Sequence, residues 1–391
     1  MRFGVDATCW ANVRGYGRFT RELCTAMVSL ALEHEFVFFA DEAAASVFEL
    51  RAPNVKLVTV AQKVAPTQAA AADGARSPLD MLRLTRAVSK ERLDAFFSPS
   101  VYTYFPLPPR LRALVCIHDC IAERYPELTL PSRRARLFWN AKVKLALWQA
   151  RLVLTVSDYS ARDLESVLRV PAAKIRVSTE APAPAYRPSE SAADIARAAA
   201  AVGLPPGARW FTYVGGFNPH KNVDTIVRAL HAISRSNENA PHLVLVGPTS
   251  TDVFHGEQGR IRATVRELGL ESRVHWAGYL PDAELRHLHC GALALLIPSQ
   301  CEGFGLPAVE AAACGTPVVA TTESPLPELL AGGGLFVEPG RLEPLAAAMR
   351  SLADDDATRA RLASVALERA RAMTWPKGAR SALDALVECT R

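Results

Sequence analysis

Short runs of β-branched and aromatic residues alternate with amphipathic stretches along the chain. In the first half RFGVD, EFVFFA, DAFFSP, RALVCIHD, ARLVLTVS and KIRVST read as strands, and GRFTRELCTAMVSLAL reads as a helix. Such alternation predicts parallel sheets with helices on both faces. It stops over 180–209, a stretch rich in Pro, Ala and Ser that reads as a linker holding one short helix. It then restarts. WFTYVGG, HLVLVG, RVHWAG, ALALLIPS, TPVVAT and GLFVEP are strand-like, and KNVDTIVRALHAIS is helix-like. The pattern predicts an α/β chain of two doubly wound, Rossmann-like domains. Their expected bounds are 1–185 and 209–374, with a linker at 186–208 and a last helix over 375–391 set against the first domain. Open α/β sheets bind ligands outside the carboxyl ends of their strands, so the expected site is a cleft faced by two such ends.

A chain of 391 residues is too long for one ordinary core. Its 49% apolar and 22% charged content is a normal globular balance. No apolar run approaches the length of a membrane span. MRFGVDATCW enters a strand-like segment without the apolar run of a signal peptide. The eight cysteines sit mostly in apolar segments and read as reduced core residues of a cytosolic protein. CIHDC, with Cys116, His118 and Cys120, has no second Cys or His pair beside it, so no metal is expected there. Charge divides by position. Residues 1–185 hold 25 Lys/Arg and 18 Asp/Glu; the remainder holds 20 and 22. The basic first half favours an anionic partner such as a phosphate or an anionic membrane surface. No helix-turn-helix, zinc or RNA-binding signature points to nucleic acid.

Candidate chemistry concentrates in PSQCEGFGLPAVEAAACGTPVV, Pro298 to Val319. A buried strand ends in the loop QCEGFG, and a helix follows with Pro307 in its first turn and Gly315 after its last. Amides of Gly303, Phe304, Gly305 and Leu306 are therefore expected to be donors without helical partners. The helix start adds about half a positive charge, which suits a phosphate. Glu302 lies just outside this helix and Glu310 about one turn inside it. Helical side chains lean toward the N-terminus, so both acids can address one ligand. A carboxylate that accepts from vicinal hydroxyls holds a ribose. In YVGGFNPHKN, Gly215 and Gly216 permit close approach to the backbone, and Lys221, at an expected helix entrance, can neutralise a diphosphate. His118 sits at a strand's carboxyl end with Asp119 beside it. In GYGRF, Gly15 and Gly17 let amides approach a phosphate or acceptor, and Arg18 adds charge. In VSDYS, Asp158 or Ser160 is the expected helix cap. RRARLFWNAKVKLALWQAR, 133–151, is a basic amphipathic segment that suits either an anionic membrane or an ordinary domain helix. Asp354 to Asp356 reads as an inter-helix turn with a capping Asp.

The setting EGFGLPAVEA resembles the donor-site motif of the family-four retaining glycosyltransferases with the GT-B fold. The resemblance covers nearly the whole chain, through GYGRFTREL, IHDCIAERYPE, TVSDYSARDL, YVGGFNPHKNVDTIVRAL and GYLPDAELRHLHCGALALLIPS. Within the family it points to bacterial mannosyltransferase-like enzymes of polysaccharide assembly. It implies a nucleotide diphosphate-sugar donor, GDP-mannose by preference, and a glycan or lipid-linked oligosaccharide acceptor. No cofactor is expected, and no metal is required where Lys221 and the helix start take its place. The expected location is the cytoplasm, with the basic first half suited to peripheral contact at the inner face of the membrane. His118 is implied as a contact to the donor sugar, and Lys221 as the pyrophosphate ligand. The family often pairs that Lys with an Arg in the preceding turn. Here Gly216 and His220 occupy the region, and His220 is the candidate replacement. Glu302 and His118 would hold the sugar and Glu310 the ribose. Competing readings are a sugar-nucleotide epimerase, a phosphorylase, and a non-catalytic nucleotide-sugar-binding protein.

Overall fold

The computed structural model describes residues 1–13, 15–69, 77–130, 132–234, 240–248 and 257–391. They form two compact units, one of 1–180 with 374–391 and one of 181–373. The first holds seven strands: β1 (Arg2–Asp6), β2 (Glu35–Ala40), β3 (Val55–Thr59), β4 (Ala95–Ser98), β5 (Ala113–Cys116), β6 (Ala150–Thr155) and β7 (Ile175–Val177). All pair parallel, in the order β3-β2-β1-β4-β5-β6-β7. Strand order reverses between β1 and β4, where Val5 faces Phe97. β4 and β5 are buried along their whole length because helices cover both faces. β3, absent from the sequence-based expectation, is an edge strand. Its VKLVT is half-exposed and carries Lys56, so it lacks the apolar run that marks its neighbours.

Asp6, at the carboxyl end of β1, is fully buried. Its carboxylate accepts from the Thr8 amide (2.9 Å), the Thr8 hydroxyl (2.6 Å) and the Thr103 hydroxyl (3.0 Å). Those donors make its burial tolerable and tie the ends of β1 and β4 together. The helix Gly15–Leu30 buries Phe19, Leu23, Cys24, Met27 and Val28 on one face. The last helix, Trp375–Cys389, packs against it within the same unit. Ser178 Oγ donates to the Gly378 carbonyl (2.9 Å), and Arg176 pairs with Glu388.

The second unit holds β8 (Trp210–Val214), β9 (His242–Val246), β10 (Val274–Gly278), β11 (Leu295–Ile297), β12 (Val318–Thr321) and β13 (Gly334–Val337). These also pair parallel, in the order β10-β9-β8-β11-β12-β13, with the reversal between β8 and β11. The core is built on Phe211, Tyr213, Ile226, Leu230, Leu245, Leu296, Val319 and Met349. The helix Ala192–Ala201, capped by Ser191, packs against the helix Asp282–Gly291. Tyr186 adds a hydrogen bond to Asp282 (2.8 Å), so residues 186–208 are built into this unit. Asp355 caps the helix Asp356–Arg371 through the Thr358 amide (2.9 Å). In VSDYS the cap is Ser157, which accepts from the Ser160 amide (3.0 Å); Asp158 is the first helical residue and Ser160 the donor. Among the described residues no helix is long and apolar enough to cross a membrane.

Gly378 lies where the last helix crosses the backbone after β7. A Cβ there would sit 2.3 Å from the Thr179 carbonyl oxygen. Gly378→Ala is expected to destabilise the first unit by about 1–3 kcal/mol, the usual range for overpacking. Thermal unfolding should show a lowered Tm; an unchanged Tm would contradict this packing.

Candidate functional site

Neighbouring parallel strands deliver their following loops side by side. At the β8/β11 reversal these are the loops Gly215–Asn222 and Pro298–Gly305. Three contacts join them. The Gln300 amide donates to the His220 carbonyl (2.6 Å), and Asn222 Nδ2 donates to the Pro298 carbonyl (2.9 Å). Lys221 Nζ meets Glu302 Oε1 at 2.7 Å. Ser299 Oγ donates to the same carboxylate oxygen (2.6 Å). The Lys221 and Glu302 side chains are 21% and 13% exposed, so the pair is shielded from bulk water yet reachable by a ligand. Lys221 is not at a helix entrance. It ends a 3₁₀ turn, Pro219–Lys221, and the helix starts at Val223 after Asn222 in the left-handed conformation (φ 53°). That turn brings the ammonium group to Glu302.

The helix Leu306–Ala313 starts from Gly305, whose φ of 92° favours glycine. No side chain caps it among the described residues. Among the described residues the amides of Phe304, Gly305 and Leu306 give no backbone hydrogen bond. Pro307 lies in the first turn and Gly315 follows the last. Glu310 is 4% exposed on this apolar helix. An acid at such a position is costly unless its oxygens are satisfied, which sets it apart from an ordinary exposed helical Glu.

His220 cannot replace an Arg. It is 8% exposed, and its Nδ1 has no hydrogen-bond partner among the described residues. Burial, with Lys221 adding repulsion, pushes its pKa down to about 3, so the ring is neutral at pH 7. The positive charge of this turn therefore rests on Lys221. The glycines also have local reasons. A Cβ on Gly215 would meet the Tyr213 hydroxyl at 2.8 Å, and the Gly215 carbonyl lies 2.0 Å from where a Cβ on Gly247 would stand. Tyr213 donates to the Gly216 carbonyl. What approaches this backbone is the unit's own chain.

In the first unit His118 follows β5. Its Nε2 lies 2.9 Å from the Pro99 carbonyl, its Nδ1 lies 3.5 Å from Glu180 Oε1, and its ring meets the Phe19 ring edge-on at 4.6 Å. Asp119 accepts from the Ile121 amide (3.0 Å) and so fixes the loop. Gly15 is exposed at the start of the first helix and Arg18 is half-buried. Gly17 is buried where a Cβ would stand 2.0 Å from the Asn12 carbonyl, so close packing of the loop requires it. Glu180 went unrecognised at the sequence level because it opens the Pro/Ala-rich stretch. It is 4% exposed. An acid three residues past a strand, KIRVSTE, was the available signal. Cys116 and Cys120 are buried free thiols, and burial pushes Cys120 far up.

A family model described as Glycosyl transferases group 1 matches residues 194–369, and one described as Glycosyltransferase Family 4 matches residues 13–178. The chain is 29% identical over 273 residues to the O-antigen chain mannosyltransferase B of Escherichia coli, covering 69% of each. It is 30% identical over 266 residues to a D-inositol 3-phosphate glycosyltransferase of Kribbella flavida, covering 66% of this chain and 60% of that one. Two solved structures share the fold. Sucrose-phosphate synthase from Thermosynechococcus elongatus gives a TM-score of 0.77 at 20% identity over 99% of this chain and 98% of that one. Anabaena Alr3699/HepE in complex with UDP-glucose gives 0.72 at 20% identity over 99% and 100%. The chain belongs to the glycosyltransferases of GT-B fold, with a family 4 first unit and a group 1 second unit.

Proposed function

We propose that the chain is a retaining glycosyltransferase of surface polysaccharide assembly. It moves a hexosyl group, mannose from GDP-mannose, to a hydroxyl of a glycan or lipid-linked oligosaccharide. The observation that carries this reading is the Lys221–Glu302 pair at the β8/β11 reversal, beside a helix start with open amides. An ammonium group, free amides and the positive helix end suit a diphosphate. The named mannosyl transfer of the Escherichia coli relative supports the sugar, and the UDP-glucose in the Anabaena structure supports the donor class.

In the proposed reaction the bond from the anomeric carbon to the diphosphate oxygen breaks through an oxocarbenium-like state. The acceptor oxygen bonds to that carbon on the same face, and its proton passes to the departing phosphate oxygen. Charge grows on the diphosphate. Lys221 and the amides of Phe304, Gly305 and Leu306 stabilise it. They take the place of a divalent cation, so the transfer is metal-independent. As diphosphate arrives, Lys221 turns its donors from Glu302 to the phosphate. Glu302 is left to hold a sugar hydroxyl, and Glu310 holds the ribose. His220 contributes shape and its carbonyl bond to Gln300. From the first unit, His118 contacts the transferred sugar, and the Gly15, Gly17 and Arg18 turn serves the phosphate or acceptor side.

A second surface belongs to this reading. The helix Arg133–Gln149 carries five Lys/Arg and no acid. Leu137, Phe138 and Trp148 are 69%, 56% and 76% exposed, with Arg133, Arg134 and Lys144 also exposed. Apolar side chains ringed by cations fit an anionic membrane surface, where a lipid-linked acceptor would lie.

Three tests follow from these assignments. Incubation with GDP-mannose should give slow hydrolysis that EDTA leaves intact, and Lys221→Ala should lower turnover by roughly 100- to 1,000-fold. Near-normal turnover in that variant would remove Lys221 from the mechanism, and loss with EDTA would overturn metal independence. Glu310→Ala should weaken GDP binding by about 10-fold or more, as expected for losing a charged hydrogen bond. Calorimetry with GDP and UDP showing unchanged affinity would end the ribose role. Finally, the protein should sediment with vesicles containing phosphatidylglycerol but not with phosphatidylcholine alone, less so at high salt. Trp148→Ser should weaken that binding by about 10-fold. Equal binding to both vesicle types would refute the membrane contact.

A further inference from the structure

His118 is held from both sides. The Pro99 carbonyl can only accept, so Nε2, at 2.9 Å, must carry a hydrogen. A neutral ring would then turn the Nδ1 lone pair toward Glu180 Oε1, 3.5 Å away. Two electron-rich atoms facing each other in a nearly closed site repel. The repulsion disappears when a proton lies between them; on Nδ1, with Nε2 already protonated, it makes the ring a cation. We propose that Glu180 is a positioning residue that keeps His118 as an imidazolium donating from both nitrogens, so that His118 acts as a fixed cation and has no lone pair with which to act as a base.

Other groups act on the pair in both directions. Cys116 on β5, Asp119 in the next loop and Arg18 on the first helix all interact electrostatically with the His118–Glu180 pair. Burial by itself disfavours the charged imidazole, but Cys116 and Glu180 outweigh it and hold the pKa well above the usual histidine range. Burial raises the Glu180 carboxyl and Asp119 adds to this, while His118 and Arg18 pull it back. Phe19 closes one side of the ring without offering an acceptor in its plane. With both nitrogens committed, a proton released by an acceptor hydroxyl must go elsewhere, which agrees with its passage to the departing phosphate. The place of His118 in the reaction rests on the function proposed above; its charge does not.

The test is an NMR titration of the full chain carrying ¹⁵N/¹³C-histidine. In the parent protein His118 should titrate above the ordinary histidine range and show both nitrogens protonated at pH 7. In Glu180→Gln, nearly isosteric, the carboxamide N–H can satisfy the Nδ1 lone pair, and the titration should fall clearly below that of the parent. Glu180→Asp should restore part of the shift. A neutral His118 at pH 7 in the parent, or an identical titration in Glu180→Gln, would overturn the proposal. Kinetics separate the two readings. Glu180→Gln should lower kcat about 10- to 100-fold, as for other groups that orient a site residue, with donor KM unchanged. A shifted titration with unaltered kcat would leave the hold of Glu180 on His118 standing and take His118 out of the reaction.

Discussion

A lysine ammonium and a glutamate carboxylate, 2.7 Å apart, join two loops that leave adjacent strands where the order of the second sheet reverses. The rest of that unit's candidate site is arranged around this pair. An ion pair so little exposed is tolerated because its partners have further hydrogen bonds, here Ser299 on Glu302. The backbone bond from Gln300 to His220 and the amide bond from Asn222 to Pro298 hold the loops in register whether or not the side chains move. On the proposed reading a diphosphate exchanges with the carboxylate for the ammonium without rebuilding the loops. That is the sense in which such a site is preorganised.

The first unit solves the same problem with different chemistry. Its reversal is tied by buried Asp6 and Thr103, and its histidine is clamped between a carbonyl and buried Glu180. In both units polar groups that would be costly in isolation lie at strand carboxyl ends and are satisfied by neighbouring loops. Glycines serve that crowding. Gly17 and Gly215 are small because the chain's own carbonyl or tyrosine fills the space beside them.

The sequence showed most of the sheet architecture because central parallel strands are apolar on both faces. β3 escaped because an edge strand needs only half of that pattern. The helix after Gly305 was legible from Pro307 and Gly315, which mark its ends for steric reasons. Lys221 was legible as a charge near a turn but not as the end of a 3₁₀ turn, since the left-handed Asn222 that separates it from the helix has no distinctive local pattern. The state of His220 was illegible because burial is set by tertiary packing. Glu180 was missed for the same reason: its partner lies 62 residues earlier, and a proline-rich context suggested exposed linker.

A crystal structure of the protein soaked with GDP or UDP measures the central claim most directly. The diphosphate is expected against Lys221 and the amides of Phe304 to Leu306, with the ribose hydroxyls on Glu310 and Glu302 released to face the sugar position. A nucleotide seated away from both glutamates, with the Lys221–Glu302 contact undisturbed, would contradict it.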